Sequence, residues 1–257
     1  MKSPLDIIYV FATIKLVNSN LDGYITGGSF ARYSQYPHAV YLDMRCDQRF
    51  VCGGSVLTQD VILTAAHCME GCEGVKHEDV LIKYGHEDIR KMKNTYLRSF
   101  VQHEHYDEYK VVNDICLLAT KKRIPLNKVV KRVILMKHPP HAQYGYIAGW
   151  GNDEYGNSKT ALKHTDAKIQ NLNVCKNMGW LPKGTFCAGP ITGLGAANEG
   201  DSGGALVIEN YVQIGLVSFK VDKYSLVAYT NITHFLGWIR KNSKRLYCNT
   251  RKENKNK

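Results

Sequence analysis

The stretch Asn198-Glu199-Gly200-Asp201-Ser202-Gly203-Gly204-Ala205 decides the fold of this chain. Glycines surround a single serine, so the backbone can take positive φ and bring main-chain N–H groups close to a ligand. Such a loop can aim a serine oxygen and two amides at one point, as nucleophilic attack on a carbonyl requires. The apolar run 205–208 that follows is typical of a buried strand. Taken alone, the stretch also fits a glycine-rich hairpin turn, so other segments must supply a base and an acid.

Two other segments offer a base and an acid. His67 follows the apolar segment 63–66, and Asp114 precedes the apolar segment 115–118. An isolated histidine at such a place is more often structural, and an isolated aspartate is usually a turn or cap residue. Together with Ser202 they form a nucleophile, a general base and an acid that orients the base.

The composition is that of an ordinary globular protein, with 257 residues, 44% of them hydrophobic and 22% charged. This length fits one large domain or two small ones. The net charge is +11, and part of it lies near the C-terminus. The basic residues there are Arg240, Lys241, Lys244, Arg245, Arg251, Lys252, Lys255 and Lys257. The run is typical of a solvated helix face with a frayed tail, and polyanion binding is the alternative. No nucleic-acid-binding motif is present.

The N-terminal residues resemble a secretory signal, with Lys2 followed by the apolar run 7–12. We therefore expect residues 1–24 to be a signal peptide and a short propeptide. No later stretch is long and apolar enough to cross a bilayer. The eight cysteines, an even number, favour an oxidising compartment. The sequence thus predicts a secreted, extracellular protein.

Short apolar segments separated by turn residues recur roughly every ten residues, which favours an all-β sandwich or barrel over alternating βα units. A linker near 121–127 would divide the fold into two halves. The apolar spacing in 233–246 predicts a C-terminal helix whose basic residues lie on another face. Residues 248–257 are expected to form a basic tail.

Six motifs then identify a family resemblance. They are Ile25-Thr26-Gly27-Gly28, Cys52-Gly53-Gly54-Ser55, Thr64-Ala65-Ala66-His67-Cys68, Asn113-Asp114-Ile115, Ala148-Gly149-Trp150-Gly151 and Gly200-Asp201-Ser202-Gly203-Gly204. The chain resembles the chymotrypsin-fold serine endopeptidases, in particular secreted trypsin-like enzymes of insects. The resemblance implies a protease domain over 25–247 with two six-stranded antiparallel β-barrels, about 25–122 and 123–232, before the helix.

The resemblance also assigns roles. Ser202 would be the nucleophile, His67 the general base and Asp114 the residue that orients the base. The N–H groups of Gly200 and Ser202 would form the oxyanion hole. Ser218 matches the family's serine beside the buried aspartate. A freed Ile25 would pair its ammonium with Asp201.

The resemblance implies two disulfides, Cys52–Cys68 and Cys175–Cys187, and the neighbouring loops suggest Cys46–Cys72 as a third. Cys116 and Cys248 remain, either free or paired with each other. Neither a cofactor nor a metal is expected.

Three positions depart from the family pattern. Tyr24 stands before Ile25, where the family usually has Arg or Lys, so cleavage there would need a chymotrypsin-like activator or self-activation. Ala196 replaces the carboxylate that trypsins use to hold Arg or Lys. Asn198 replaces a cysteine four residues before the nucleophile, so the missing disulfide predicts a looser pocket rim.

The side chains of Lys220 and Val227 should narrow the primary specificity pocket, which also includes Ala196 and Ser218. These residues predict a preference for small residues. An acidic preference through Lys220 and a broad chymotrypsin-like preference are the alternatives.

A function of another class also fits the sequence. A non-catalytic protease homologue acting as a binding or regulatory module would tolerate the altered activation site and the narrowed pocket. The intact set of His67, Asp114 and Ser202 favours an active enzyme. As an enzyme the chain is expected to be a monomer that acts on polypeptides and is bound by protein inhibitors.

Overall fold

A computed structural model describes residues 28–153, 156–157, 160–190 and 196–255. The predicted signal peptide and propeptide, together with Ile25, lie outside these residues. The first strands are β1 (Ser29–Phe30), β2 (Ala39–Arg45), β3 (Arg49–Val56), β4 (Val61–Thr64), β5 (Val80–Tyr84), β6 (Lys93–Gln102) and β7 (Cys116–Thr120). The later strands are β8 (Tyr144–Gly149), β9 (Lys163–Lys168), β10 (Thr185–Ala188), β11 (Ala205–Ile208), β12 (Val212–Val221) and β13 (Leu226–Asn231). The α-helices are α1 (Leu172–Cys175) and α2 (Ile232–Lys255).

The first half of the chain forms a closed antiparallel barrel in the order β2-β3-β4-β7-β6-β5. Buried and partly exposed residues alternate along its strands. In β5 the side chains of Val80, Ile82 and Tyr84 are buried while those between them are partly exposed, as a strand with one face on the core requires. The fully buried strands β4 and β7 pair with each other. Each of these strands positions one residue of the site, since His67 follows β4 and Asp114 precedes β7.

The second half forms a sheet of seven strands in the order β1-β9-β8-β11-β12-β13-β10. An isolated antiparallel bridge between Ile169 and Ala188 brings the β10 edge back to the chain that follows β9. The N–H of Gln170 donates to the carbonyl of Cys187 at 3.0 Å at the same place. The strands β8 to β13 therefore curve into the second barrel, and β1 is an additional strand outside it. The predicted all-β class is confirmed, with β1 as the strand that the prediction lacked.

Helix α2 begins where the Asn231 side chain accepts a hydrogen bond from the N–H of Thr233 at 2.9 Å, an N-terminal cap. Its buried face includes Ile232, Phe235, Ile239 and Leu246, which pack in one cluster with residues of β4, β7 and β12. The helix continues to Lys255, so it is longer than the expected 233–246 and takes in most of the expected tail. Its basic residues Arg240, Lys241, Lys244 and Arg245 are exposed. No helix among the described residues is long and apolar enough to cross a membrane.

Three disulfides join Cys46 to Cys72, Cys52 to Cys68 and Cys175 to Cys187. The Cys52–Cys68 bond closes a loop with a sequence separation of 16, which contributes roughly 3 kcal/mol in the chain-entropy account. It fixes the turn that carries His67 to strand β3.

The two remaining cysteines are free, Cys116 buried in β7 and Cys248 exposed on α2. The alternative in which they pair is therefore wrong in this structure. Burial raises the pKa of the Cys116 thiol, because a thiolate would lose its hydration there.

We expect a thiol reagent to titrate one thiol per native chain and two after denaturation without reductant. Cys248 is accessible, whereas Cys116 is shielded and held as a thiol. In the native Cys248→Ser variant the reagent should titrate no thiol. Finding no thiol in the denatured chain would mean that the two cysteines are bonded.

Candidate active site

The loop before β11 carries Ser202 and fits closely against the first barrel. Gly203 has φ of +75°, and a Cβ there would lie 2.2 Å from Thr64 Oγ1. Only glycine meets both conditions, because a side chain would be strained and would clash. The N–H of Gly53 in β3 donates to the carbonyl of Ser202 at 2.7 Å. The nucleophile loop of the second barrel is thus fixed directly to the first.

His67 and Asp114 form a close pair. His67 Nδ1 lies 2.8 Å from Asp114 Oδ2, and the backbone N–H of His67 donates to Asp114 Oδ1 at 2.9 Å. The side chain of Asp114 is fully buried, whereas that of His67 is 24% exposed. The carboxylate therefore fixes the position of the imidazole ring, and the part of the ring away from Asp114 stays accessible.

Local backbone geometry places Asp114 for these contacts. The preceding residue, Asn113, has φ of +56°, a left-handed conformation that asparagine tolerates better than most residues. Its side chain donates to the carbonyl of His105 at 2.7 Å. The turn aims Asp114 into the space between the barrels just before β7 begins.

The second barrel supplies the other partners of Asp114. Ser218 Oγ donates to Asp114 Oδ2 at 2.5 Å, and Thr230 Oγ1 donates to the carbonyl of Asp114 at 2.8 Å. Ser218 lies where the register of β12 with β13 shifts between Val217 and Phe219. Such bulges re-aim side chains beside sites. Ser218 therefore contacts the carboxylate of Asp114, and its role in the site stays a prediction.

The pair shifts both pKa values in the direction that a charged pair requires. Burial raises the pKa of the Asp114 carboxyl, but the charge and hydrogen bond of His67 outweigh burial and hold the pKa below its ordinary value. Burial lowers the pKa of His67, but Asp114 outweighs it and the net pKa is raised. The imidazole is thus a stronger base than a free histidine.

Ser202 lines the same cavity as His67. Ser202, His67 and Gly200 line one cavity of about 710 Å³, together with Tyr41, Arg49, Phe50, Val51, Cys52, Ile89, Trp150, Asn152, Thr160 and Glu199. No hydrogen bond within the described ranges joins Ser202 to His67. Catalytic contacts of this kind are often long without a substrate and tighten when one binds.

The predicted oxyanion donors are available. Gly200 has φ of +90°, and neither its N–H nor that of Ser202 donates to another described residue. The N–H of the intervening Asp201 is engaged by the carbonyl of Asn198 at 2.9 Å. Two amides beside the hydroxyl can therefore bind the oxygen of a carbonyl under attack.

Asp201 is 1% exposed. Its carboxylate accepts from the N–H groups of Gly151 and Asn198, both at 2.9 Å. Burial raises the pKa of Asp201 to about 6, against the lowering effect of these hydrogen bonds and of the Lys220 charge. Its predicted partner, Ile25, lies outside the described residues, so that ion pair stays a prediction.

The four residues assigned to the specificity pocket do not line the cavity around Ser202. Ala196, Ser218 and Val227 are buried, and Lys220 lies opposite Val227 in the β12–β13 ladder. The assignment of these residues to the specificity pocket therefore stays a prediction.

Asn198 is the residue whose role the sequence did not reveal. Its side chain accepts from Lys220 Nζ at 2.8 Å and donates to the carbonyls of Asn152 and Asp153 at 3.1 and 3.0 Å. The expectation of a loose rim considered only the missing disulfide. The sequence feature that could have indicated this role is the replacement of a cysteine by asparagine, whose amide both donates and accepts hydrogen bonds.

One group of possible metal ligands occurs within the described ranges, Cys52, His67 and Cys68. The two sulfur atoms are joined in a disulfide, so they offer no thiolate. His67 Nδ1 already contacts Asp114. The chemistry of this group does not suit a metal, and the expected absence of one stays a prediction.

The arrangement suits acyl transfer, since a hydroxyl, a base and two amide donors surround one cavity. Comparison with known proteins points the same way. The family profile described as Trypsin matches residues 25–239. Granzyme-like protein 2 of Rattus norvegicus is 31% identical over 207 residues, 77% of this chain and 80% of the relative. Cathepsin G of Homo sapiens is 30% identical over 233 residues, 85% of this chain and 87% of the relative.

A solved structure supports the fold alone. The scabies mite inactivated protease paralogue S-D1 aligns with a TM-score of 0.76 at 19% identity, over 86% of this chain and 98% of that chain.

We expect Asp114→Asn to lower the pKa of His67, because burial of the ring remains while the carboxylate charge is lost. Titration of the His67 ring by NMR measures the shift. Any hydrolytic activity should fall by roughly 10⁴-fold, the scale known for such an aspartate. The control is the Asp166→Asn variant at an exposed position, which should change neither the pKa of His67 nor the hydrolytic activity. An unchanged His67 pKa in Asp114→Asn would contradict the pairing.

Proposed function

The chain belongs to the trypsin family and is a serine endopeptidase, and we propose that Ser202, His67 and Asp114 carry its reaction. The observation that supports these roles most directly is that His67, which is paired with buried Asp114, lines one cavity with Ser202. The N–H groups of Gly200 and Ser202 are unbonded among the described residues. Trypsin-like proteases act on polypeptides and are bound by protein inhibitors.

In the proposed reaction Ser202 Oγ attacks the carbonyl carbon of the scissile peptide, and its proton passes to His67 Nε2. The oxyanion binds to the N–H groups of Gly200 and Ser202. As the C–N bond breaks, His67 returns the proton to the leaving amine and the acyl group stays on Ser202. A water molecule then attacks the acyl carbon while His67 takes its proton. As the bond between the acyl carbon and Ser202 Oγ breaks, His67 gives this proton to Ser202 Oγ and the acid is released. Asp114 stabilises the imidazolium and does not take the proton.

The proposed primary specificity is for small residues before the scissile bond. Ala196 offers no carboxylate for Arg or Lys, and the buried Val227 side chain stands where glycine would leave space. The Lys220 ammonium is engaged by Asn198, which weakens the alternative of an acidic preference.

Secretion is also part of the proposal. Three disulfides are typical of oxidising, extracellular compartments. Residues 1–24 would be removed as a signal peptide and propeptide. Weak polyanion binding through the exposed basic residues of α2 is a lesser expectation.

A second candidate, a non-catalytic homologue that acts as a binding module, has one observation in its favour. Lys220 bonds across to Asn198 at the predicted pocket, which would restrict entry of a substrate side chain. The two candidates differ in the reactivity of Ser202.

We expect a fluorophosphonate probe to label the activated wild-type chain and not Ser202→Ala, because only an activated hydroxyl attacks phosphorus. Peptide hydrolysis should be lost with it, while the melting temperature is unchanged within about 2 °C, as for a surface substitution. Ser99→Ala, an exposed serine on β6, is the control and should label like wild type. Absence of labelling in the wild type would favour the binding module.

A peptide-library profile should show Ala, Val or similar small residues before the cleaved bond, with no enrichment of Arg or Lys. Val227→Gly should extend the profile to larger residues, because the wall side chain is removed. A wild-type profile dominated by Arg or Lys would refute this specificity.

A further inference from the structure

The linker between the two barrels and helix α2 form a second surface, on which positive charge has few opposing carboxylates. The sequence contains no Asp or Glu from 115 to 152 or from 223 to 252. The exposed cations of the linker are Lys121, Lys122, Arg123, Lys128, Lys131, Arg132 and Lys137, and those of α2 include Arg240, Lys241, Lys244 and Arg245. A block of one charge sign attracts a partner of the opposite sign.

Two adjoining cavities show that the linker and the helix share this surface. The first, of about 420 Å³, lies between the linker and α2, and the second, of about 570 Å³, lies along the linker. Arg132 and Ile134 line both cavities, so the cavities are neighbours. Their charged lining residues within the described ranges are Lys131, Arg132 and Arg240, which are all cations. We define the linker–helix face by Leu126, Lys131, Arg132, Ile134 and Arg240.

Apolar side chains are exposed on the same face. Ile134 is 45% exposed and Leu126 is 38% exposed. The N–H of Ile134 donates to the carbonyl of Tyr211 at 3.0 Å, and its own carbonyl accepts from the N–H of Gln213 at 2.9 Å. A fixed backbone therefore holds this side chain in solvent. Further exposed apolar residues of the linker are Val129 and Met136. Exposed apolar side chains that are grouped in this way are typical of an interaction site.

Two carboxylates lie close in sequence to residues that line these cavities. Asp60, two residues after Thr58, is buried, and its Oδ1 lies 3.4 Å from Nε of Arg123. Glu209, two residues before Tyr211, is exposed. One exposed carboxylate beside the three cations of the cavities leaves the linker–helix face positively charged.

We propose that the linker–helix face binds an anionic lipid surface. Its cations contact the phosphates and carboxylates of the lipid headgroups, and Ile134 and Leu126 enter the boundary between headgroups and acyl chains. This combination of basic and exposed apolar residues is the one that binding at a membrane surface uses. The residues of this face do not line the cavity around Ser202, so the cavity stays open while the chain is bound.

The apolar residues distinguish this partner from a sulfated polysaccharide. A polysaccharide would contact the cations and would gain nothing from Ile134 or Leu126, because it has no apolar phase to receive them. A lipid surface uses both, since its affinity grows with the apolar area buried as well as with charge. The inference therefore goes beyond polyanion binding through α2, and it does not depend on the reaction of Ser202.

The test measures how the full chain sediments with lipid vesicles at about 0.15 M ionic strength. One set of vesicles is phosphatidylcholine with about 30% phosphatidylserine, and the other is phosphatidylcholine alone. We expect binding to the anionic vesicles and binding that is weaker by more than about tenfold to the neutral ones. The Ser202→Ala chain should bind equally well, which keeps this result separate from the proposed function.

Substitutions on the face should weaken binding to the anionic vesicles. Arg132→Gln and Arg240→Gln should each lower the partition coefficient about fivefold, the scale of one cation near such a surface. Ile134→Ser should lower it about threefold or more, because less apolar area is buried. The matched controls are Lys168→Gln, at an exposed position on β9, and Leu172→Ser, at a residue of α1 that is 74% exposed. Each control should change the coefficient by less than about twofold.

Three outcomes would overturn the inference. The first is the absence of binding to the anionic vesicles, whether or not the chain binds heparin. The second is loss of binding in the arginine variants with none in Ile134→Ser, since a purely electrostatic contact does not use the apolar side chain. The third is an equal loss in the controls, which would indicate attraction by the net charge alone. Thermal unfolding of each variant verifies its fold, and Leu126→Ser replaces Ile134→Ser if the latter does not fold.

Discussion

The buried carboxylate of Asp114 is the interaction on which the rest of the site depends. A charge with no solvent exposure is costly unless it is paired and hydrogen-bonded. The partners of the carboxylate come from both halves of the fold: His67 from the first barrel and Ser218 from the second. Thr230 of the second barrel also donates to the backbone carbonyl of Asp114. Satisfying this one group therefore requires the two barrels to meet at a fixed orientation, which also sets the position of the imidazole.

The nucleophile loop uses the same interface in another way. Gly203 lies against Thr64 with no space for a side chain, and Gly53 bonds the carbonyl of Ser202. The bond from Gly53 joins the backbones of different barrels, so its precision does not depend on flexible side chains. Buried Ser55 and Gln213 add a hydrogen bond of 2.8 Å between β3 and β12. The catalytic geometry is thus a property of the barrel interface and not of the loop alone.

Much of this could be predicted from the sequence because the decisive residues form short contiguous motifs. The glycines around Ser202 and the apolar segments beside His67 and Asp114 identify both the chemistry and the strands. The helix end could not be predicted, because beyond Leu246 the polar sequence carries no apolar period. Strand β1 was missed since two exposed residues, Ser29 and Phe30, have no alternation to detect.

Asn198 illustrates a deeper limit. A disulfide can be predicted from two cysteines in the sequence, whereas an amide side chain can form a hydrogen bond with any carbonyl or ammonium that the fold brings near. Its partners Asn152 and Lys220 lie 46 and 22 residues away, so nothing local indicates them. The replacement of the disulfide by these hydrogen bonds also changes how the nucleophile loop is restrained. A cross-link restrains the unfolded chain too, whereas these hydrogen bonds exist only once the barrel has formed around them. Order at the nucleophile is therefore tied to folding of the second barrel.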